Sequence, residues 1–181
     1  MATTTAQAAS TTTPNDWDLV GASKPLAVNP PDDDAGSYID STGSALTEQW
    51  FACSPAPAAG DTITGIAVTV RHRRGGVSDA AFKLGYQFTP QGGGTQGELM
   101  SGSFTAGAAW QTEMWNATPL SVVYGSGFQL YCRNTQTRRV QITTLYAEIT
   151  YTPAASGDGQ PMVARARLVP GMRRPHGQQG W

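Results

Sequence analysis

The clearest order in this chain is a two-residue alternation of apolar and polar positions. In "TITGIAVTVRHR", residues 62–73, Ile66, Val68 and Val70 point to one side and Ala67, Thr69 and Arg71 to the other. A strand with one buried face requires that pattern. "AAFKLGYQF" repeats it with Phe82, Leu84, Tyr86 and Phe88 on one face, and "GFQLYCRN" places Phe128, Leu130 and Cys132 inward. In "RVQITTLYAEITY" Val140 and Ile142 point inward, then Leu145, Ala147, Ile149 and Tyr151. The phase slips by one residue at Thr143–Thr144, the mark of a β-bulge or of a bend between sheets.

Weaker strand signals fall at 37–40, in "TEQWFAC" (47–53), and in "ELMSGSFT", "AWQTEMW" and "PLSVVY". Turns are marked by "SPAPAAGD", Gly75–Gly76, "QGGGTQG" and "YGSG". The sum is about eight to ten short strands with no helix-length amphipathic run. It predicts an all-β fold, an antiparallel β-sandwich or jelly roll. The sandwich domain is expected over 31–153, between an extended N-terminal arm (1–30) and an extended basic C-terminal tail (154–181). Neither flank has an apolar period with which to bury itself, so a neighbouring subunit is expected to order both.

Composition agrees with this picture: 21 Gly and 12 Pro with only 14% charged residues favour turns and strands. The net charge of −1 hides an asymmetry. Residues 1–70 hold eight acids against Lys24 alone, whereas residues 71–181 hold eleven Lys and Arg against five acids. Such a split suits complementarity within or between copies. The opening "MATTTAQAASTTTPNDW" has neither the basic nor the apolar region of a secretory signal, and no stretch approaches the ~20 apolar residues of a membrane span. Cys53 and Cys132 fit no metal or redox spacing and are expected to be reduced thiols.

Candidate chemistry is sparse. His72 lies in "RHRR", where neighbouring cations disfavour its charged form, and His176 lies in the tail. No serine or cysteine sits in a nucleophile-elbow context. The carboxylates Glu98, Glu113 and Glu148 lack a reason to face one another, and Glu148 alternates with core residues, so it faces out. The chain is therefore read as no enzyme, with no cofactor. Asp32, Asp33, Asp34 and Asp40 are weak calcium candidates without an EF-hand spacing.

Arg71, Arg73 and Arg74 on the body, with Arg165, Arg167, Arg173, Arg174 and Trp181 in the tail, are read as protein-partner contacts. Arginine's planar fork suits carboxylates at protein interfaces, and no aromatic stripe or groove-entering helix favours nucleic acid. Trp50, Trp110, Trp115 and Tyr124 form a sugar-stacking platform if the fold gathers them on one face; otherwise they are core or strand-edge aromatics. The sequon Asn116–Ala117–Thr118 precedes Pro119 and carries little weight.

The run "DDDAGSYIDS … AAGDTITGIAVTVRHR … KLGYQF … YGSGFQLYCRN … VQITTLYAEITYTP" resembles the β-sandwich structural proteins of tailed bacteriophages and prophages. The resemblance spans roughly residues 30–153. It implies a virion component synthesised in the host cytoplasm, a capsid decoration or cement protein first, a tail, fibre or neck part second. The partners it implies are the major capsid protein or neighbouring copies, in a homo-oligomer. A carbohydrate-binding β-sandwich module is the alternative from a different class.

Overall fold

The structure, a computed structural model, describes residues 1–20, 24, 28, 37–43 and 46–155. Eleven strands account for most of them: β1 (Ala2–Asn15), β2 (Asp18–Val20), β3 (Tyr38–Asp40), β4 (Glu48–Ser54), β5 (Thr62–Arg74), β6 (Ala80–Pro90), β7 (Gln96–Leu99), β8 (Phe104–Ala106), β9 (Gln111–Asn116), β10 (Val122–Asn134) and β11 (Val140–Thr152). "PLSVVY" and "GFQLYCRN" prove to be one strand, β10, while "ELMSGSFT" divides into β7 and β8.

All pairings are antiparallel, and the strands form a jelly-roll β-sandwich. In the first sheet β5 lies between β9 and β11, and the far edge of β11 is shared by β1 and by β3 with β2 beyond it. In the second sheet β4 pairs β10, β10 pairs β6, and β7 and β8 take the outer side of β6. β1 belongs to both: residues 2–7 pair with β11 and residues 7–15 with β4. The expected N-terminal arm is thus corrected over its first fifteen residues. A Thr-rich segment too polar to fold alone is held because each side of its backbone finds a strand to pair with.

The inward faces follow the alternation. Val68, Val70, Phe82, Leu84, Leu130, Cys132, Val140, Ile142, Leu145, Ala147 and Ile149 are all fully or almost fully buried. The slip in β11 is a break in register against β5 between Ile142 and Thr144. It lets Leu145 return to the core side after two consecutive threonines. Trp17, not foreseen as core, is 1% exposed and donates its indole N–H to the Thr47 carbonyl at 3.3 Å.

Two buried carboxylates fix the ends. Asp61 accepts the backbone N–H groups of Ala58 and Ala154, each at 2.9 Å, tying the exit of β11 to the turn before β5. Asp40 is fully buried, accepts both Nε and Nη2 of Arg139 at 2.9 and 2.7 Å, and accepts Gln141 Nε2 at 2.9 Å. Its oxygens are therefore committed to protein donors, which corrects its reading as a calcium ligand. Asp32, Asp33 and Asp34 lie outside the described residues, and among the described residues no three His, Cys, Asp or Glu side chains gather as a metal site. Cys53 and Cys132 are free thiols; burial pushes Cys53 up to about 12 and Cys132 higher still.

Candidate functional site

Alternation places Phe51 of β4 and Leu130 and Cys132 of β10 in the core, so Trp50, Tyr131 and Arg133 must face outward. The pairing of β4 with β10 sets Trp50 opposite Tyr131, and β10 with β6 sets Tyr131 opposite Gly85. Thr12 and Leu99 extend the same register line to β1 and β7. At ~4.8 Å between strands, the row from Thr12 to Leu99 is about 19 Å long.

The rings of Trp50 and Tyr131 stack with centroids 4.0 Å apart and planes 12° apart. The phenol leans over Gly85, where a Cβ would fall inside its van der Waals volume. The absent side chain is what lets the ring lie down, and it leaves Tyr131 only 8% exposed beneath the half-buried Trp50. Burial pushes the Tyr131 hydroxyl above its ordinary range, so it stays a neutral phenol.

The flanking register lines are polar. On one side stand Glu48, Arg133 and Lys83; on the other Ala52, Gln129 and Gln87. Glu48 accepts the Trp50 indole N–H at 2.6 Å and is ion-paired with Arg133, which locks the indole's rotation. The outer face of the second sheet thus carries a fixed aromatic pair between two lines of hydrogen-bonding groups.

The other aromatic candidates go elsewhere. Trp115 packs inward near Tyr86, at 6.2 Å between centroids, and Tyr124 is 5% exposed in the core. Trp110 lies on the first sheet's outer side, where the Arg71 and Arg73 guanidiniums sit 5.3 and 4.5 Å from its ring centroid. Arg73 also faces Tyr38 at 5.9 Å and donates from Nε to Gln141 at 2.7 Å. The four-residue platform is therefore corrected: short β9 carries no alternation to fix the facing of Trp115, and Trp50 joins Tyr131 instead. Tyr131 was legible in principle, being out of phase with Leu130 and Cys132.

Among the arginines read as partner contacts, Arg71 and Arg73 are half-buried on that first sheet, and Arg74 pairs with Asp79 at 2.9 Å. Arg165, Arg167, Arg173, Arg174 and Trp181 lie outside the described residues. The glutamates do not converge. Glu98 accepts Thr118 N–H and Oγ1 at 3.0 and 2.9 Å, Glu148 is exposed on β11, and Glu113 faces His72.

His72 is fully buried, with Nε2 2.7 Å from Glu113 Oε2 and its ring against Phe82 and Phe104. Nε2 donates to the carboxylate, and Nδ1 is left as a buried acceptor without a partner. The imidazole is held below its ordinary value of 6.5 by burial, against the opposing pull of Glu113. Neighbouring cations, the cause expected from sequence, are not the leading one. Because the folded state resists a proton that the unfolded chain accepts, this residue's contribution to stability is complete above about pH 6.5. It falls as pH drops below that value, down to the folded-state pKa. Thermal midpoints measured from about pH 7.5 to about pH 5 are expected to fall less steeply in His72→Phe than in the parent chain.

No family model matches this sequence, and no curated protein matches it. Among solved structures the chain is similar to the CBM22-1 xylan-binding domain of Xyn10C from Paenibacillus barcinonensis, with a TM-score of 0.50 and 12% identity, over 81% of this chain and 86% of that one. It is also similar to the CBM22-1–CBM22-2 tandem domain of the same protein, with a TM-score of 0.50 and 12% identity, over 84% of this chain and 43% of that one. At this identity the likeness is one of architecture: the chain has the β-sandwich fold that these carbohydrate-binding modules also have.

Proposed function

We propose that this chain is a non-catalytic binding module that takes a polysaccharide on the outer face of its second sheet. The observation that carries the reading is the Trp50–Tyr131 stack, fixed by Glu48 and centred in a row about 19 Å long at ~4.8 Å per strand. A sugar ring offers an apolar face of C–H groups and an equator of hydroxyls. An indole surface flanked by Gln87, Gln129 and Arg133 meets both demands. The shared fold with a domain named for xylan binding supports the choice of xylo-oligosaccharides as the first probe.

The test is titration calorimetry against a panel of soluble polysaccharides with the parent chain and Trp50→Ala. Since Trp50 lies outside the core, the variant is expected to keep its far-UV spectrum while its affinity drops about 30-fold, roughly 2 kcal/mol. Absence of binding across the panel, or equal affinity in the variant, removes the reading.

A second reading concerns assembly and is favoured by the sequence resemblance. Its most specific segments, "TITGIAVTVRHR", "GSGFQLYCRN" and "VQITTLYAEITY", are the core strands β5, β10 and β11. On this reading the chain is a virion structural protein, a capsid decoration or cement protein, with a tail, fibre or neck part as the other site of assembly. Its partners are the major capsid protein or neighbouring copies, and its place is the virion. Both readings can hold together, one face binding glycan while another docks. Deleting residues 162–181 is expected to weaken particle association while leaving the thermal transition in place. Unchanged occupancy on purified particles removes the reading of the tail as a segment that clamps neighbouring subunits.

A further inference from the structure

The two lines that flank the aromatic row differ in charge. One is neutral, made of Ala52, Gln129 and Gln87 in register. The other joins Glu48, Arg133 and Lys83 in register, and there the single carboxylate is already consumed. The Glu48 side chain is 12% exposed and holds both the Trp50 indole N–H and the Arg133 guanidinium. Arg133 is more open, at 34%. Lys83, the next residue along, has its ammonium tethered at 3.0 Å to the Ser101 carbonyl, in an exposed position. A carbonyl leaves the ammonium's full charge and two of its three N–H groups for another acceptor.

From this asymmetry we infer that the ligand of this face carries carboxylate groups along one edge: an acidic, uronate-bearing polysaccharide whose anionic branch lies over Lys83 and Arg133. The inference rests on the polysaccharide reading above and names the ligand class within it. A chain lying across the strands along the Trp50–Tyr131 row sets one edge against two amides, which serve hydroxyls, and the other against two cations. With a neutral chain in the complex, Arg133 keeps Glu48 but the Lys83 ammonium is left without a counter-charge. A carboxylate supplies one and accepts charge-assisted hydrogen bonds from the Lys83 ammonium and the outer guanidinium nitrogens. The cationic line sits at the rim of the row, where charge sets preference and salt dependence more than total affinity.

The test compares β-1,4-linked xylo-oligosaccharides of one length, unsubstituted, carrying glucuronate branches, or carrying sulfate esters, by calorimetry at low and high salt. The proteins are the parent, Lys83→Gln, Lys83→Glu and Trp50→Ala. The glucuronate-bearing ligand is expected to bind the parent about tenfold tighter than the unsubstituted one at low salt. That advantage is expected to shrink with added salt, fall in Lys83→Gln and disappear in Lys83→Glu. Affinity for the unsubstituted ligand is expected to change much less than affinity for the glucuronate-bearing one in both Lys83 variants. Equal binding of the branched and plain ligands, with Trp50→Ala still weakening both, overturns the inference and leaves the polysaccharide reading standing. A sulfated ligand preferred as strongly as the glucuronate one overturns the carboxylate assignment. Indifference of all ligands to Trp50→Ala overturns the underlying reading and the inference with it.

Discussion

A chain lacking residues 2–15 is expected to lose its cooperative thermal transition altogether. β1 is one of two strands that join the sheets, pairing with β11 through residues 2–7 and with β4 through residues 7–15, while β10 also reaches β5 through Val122 and Val123. Its removal strips one side of β11 from Tyr146 to Tyr151 and one side of β4 from Gln49 to Ser54. It also takes away Ala6 and Ala8, 0% and 2% exposed, which cap the core where the two sheets converge. Two edges of unpaired backbone and a breached core weigh against a total stability of ~5–15 kcal/mol for a domain of this kind.

Circular dichroism melting and amide dispersion on the truncated chain measure the effect. A truncated chain that melts sharply near the parent midpoint shows β1 to be dispensable. A synthetic peptide of residues 1–16 added in trans is expected to restore the transition, because the strand acts through pairing and not through any chemistry of its own. The same deletion separates this structure from the view of residues 1–15 as an arm for neighbours, which predicts an intact fold.

That contrast locates what local sequence could tell. β5, β6, β10 and β11 were legible because each carries large apolar residues at every second position, and the slip at Thr143–Thr144 was legible as a break in that period. β1 was not, because the residues it buries are alanines, whose small side chains scarcely mark a face. Its density of threonine, a residue that fits the pleated surface, was the available signal. Trp17 was missed for a different reason: the strand that follows it is three residues long, too short for any period to show.

The site divides in the same way. Local parity fixes the outward facing of Trp50, Tyr131 and Gly85, since each alternates with a buried neighbour. That the three form one line depends on which strands pair and in what register. Trp50 of β4 and Tyr131 of β10 lie some eighty positions apart in sequence, and their alignment is settled by how all eleven strands close into two sheets. The charge split suits complementarity within or between copies, and part of it is found within this chain. The acidic front and basic back of the chain meet partly inside the domain, in Asp40 with Arg139 and Glu48 with Arg133, so part of the complementarity is spent on folding.

Replacing Gly85 by alanine is expected to damage fold and ligand binding together, through one methyl group. The added Cβ falls inside the ring of Tyr131, which can only swing away or lift, and either motion separates it from Trp50. Forcing a methyl into a filled site costs about 1–3 kcal/mol. Here the displaced ring is also one of the two aromatic surfaces of the row. The Gly85→Ala chain is therefore expected to melt several degrees lower, to lose the near-ultraviolet signal of the stacked pair, and to bind the polysaccharide no better than Trp50→Ala does. Mutation of Tyr131 supplies the internal control. With Tyr131→Ala already present there is no ring to displace, so adding Gly85→Ala is expected to cost little or to stabilise, through the lower chain entropy of alanine. The double-mutant cycle should then show coupling of about 1 kcal/mol or more. Additive effects place the cost of Gly85→Ala in the β6 backbone, and retained binding in Gly85→Ala separates the ligand from the aromatic row.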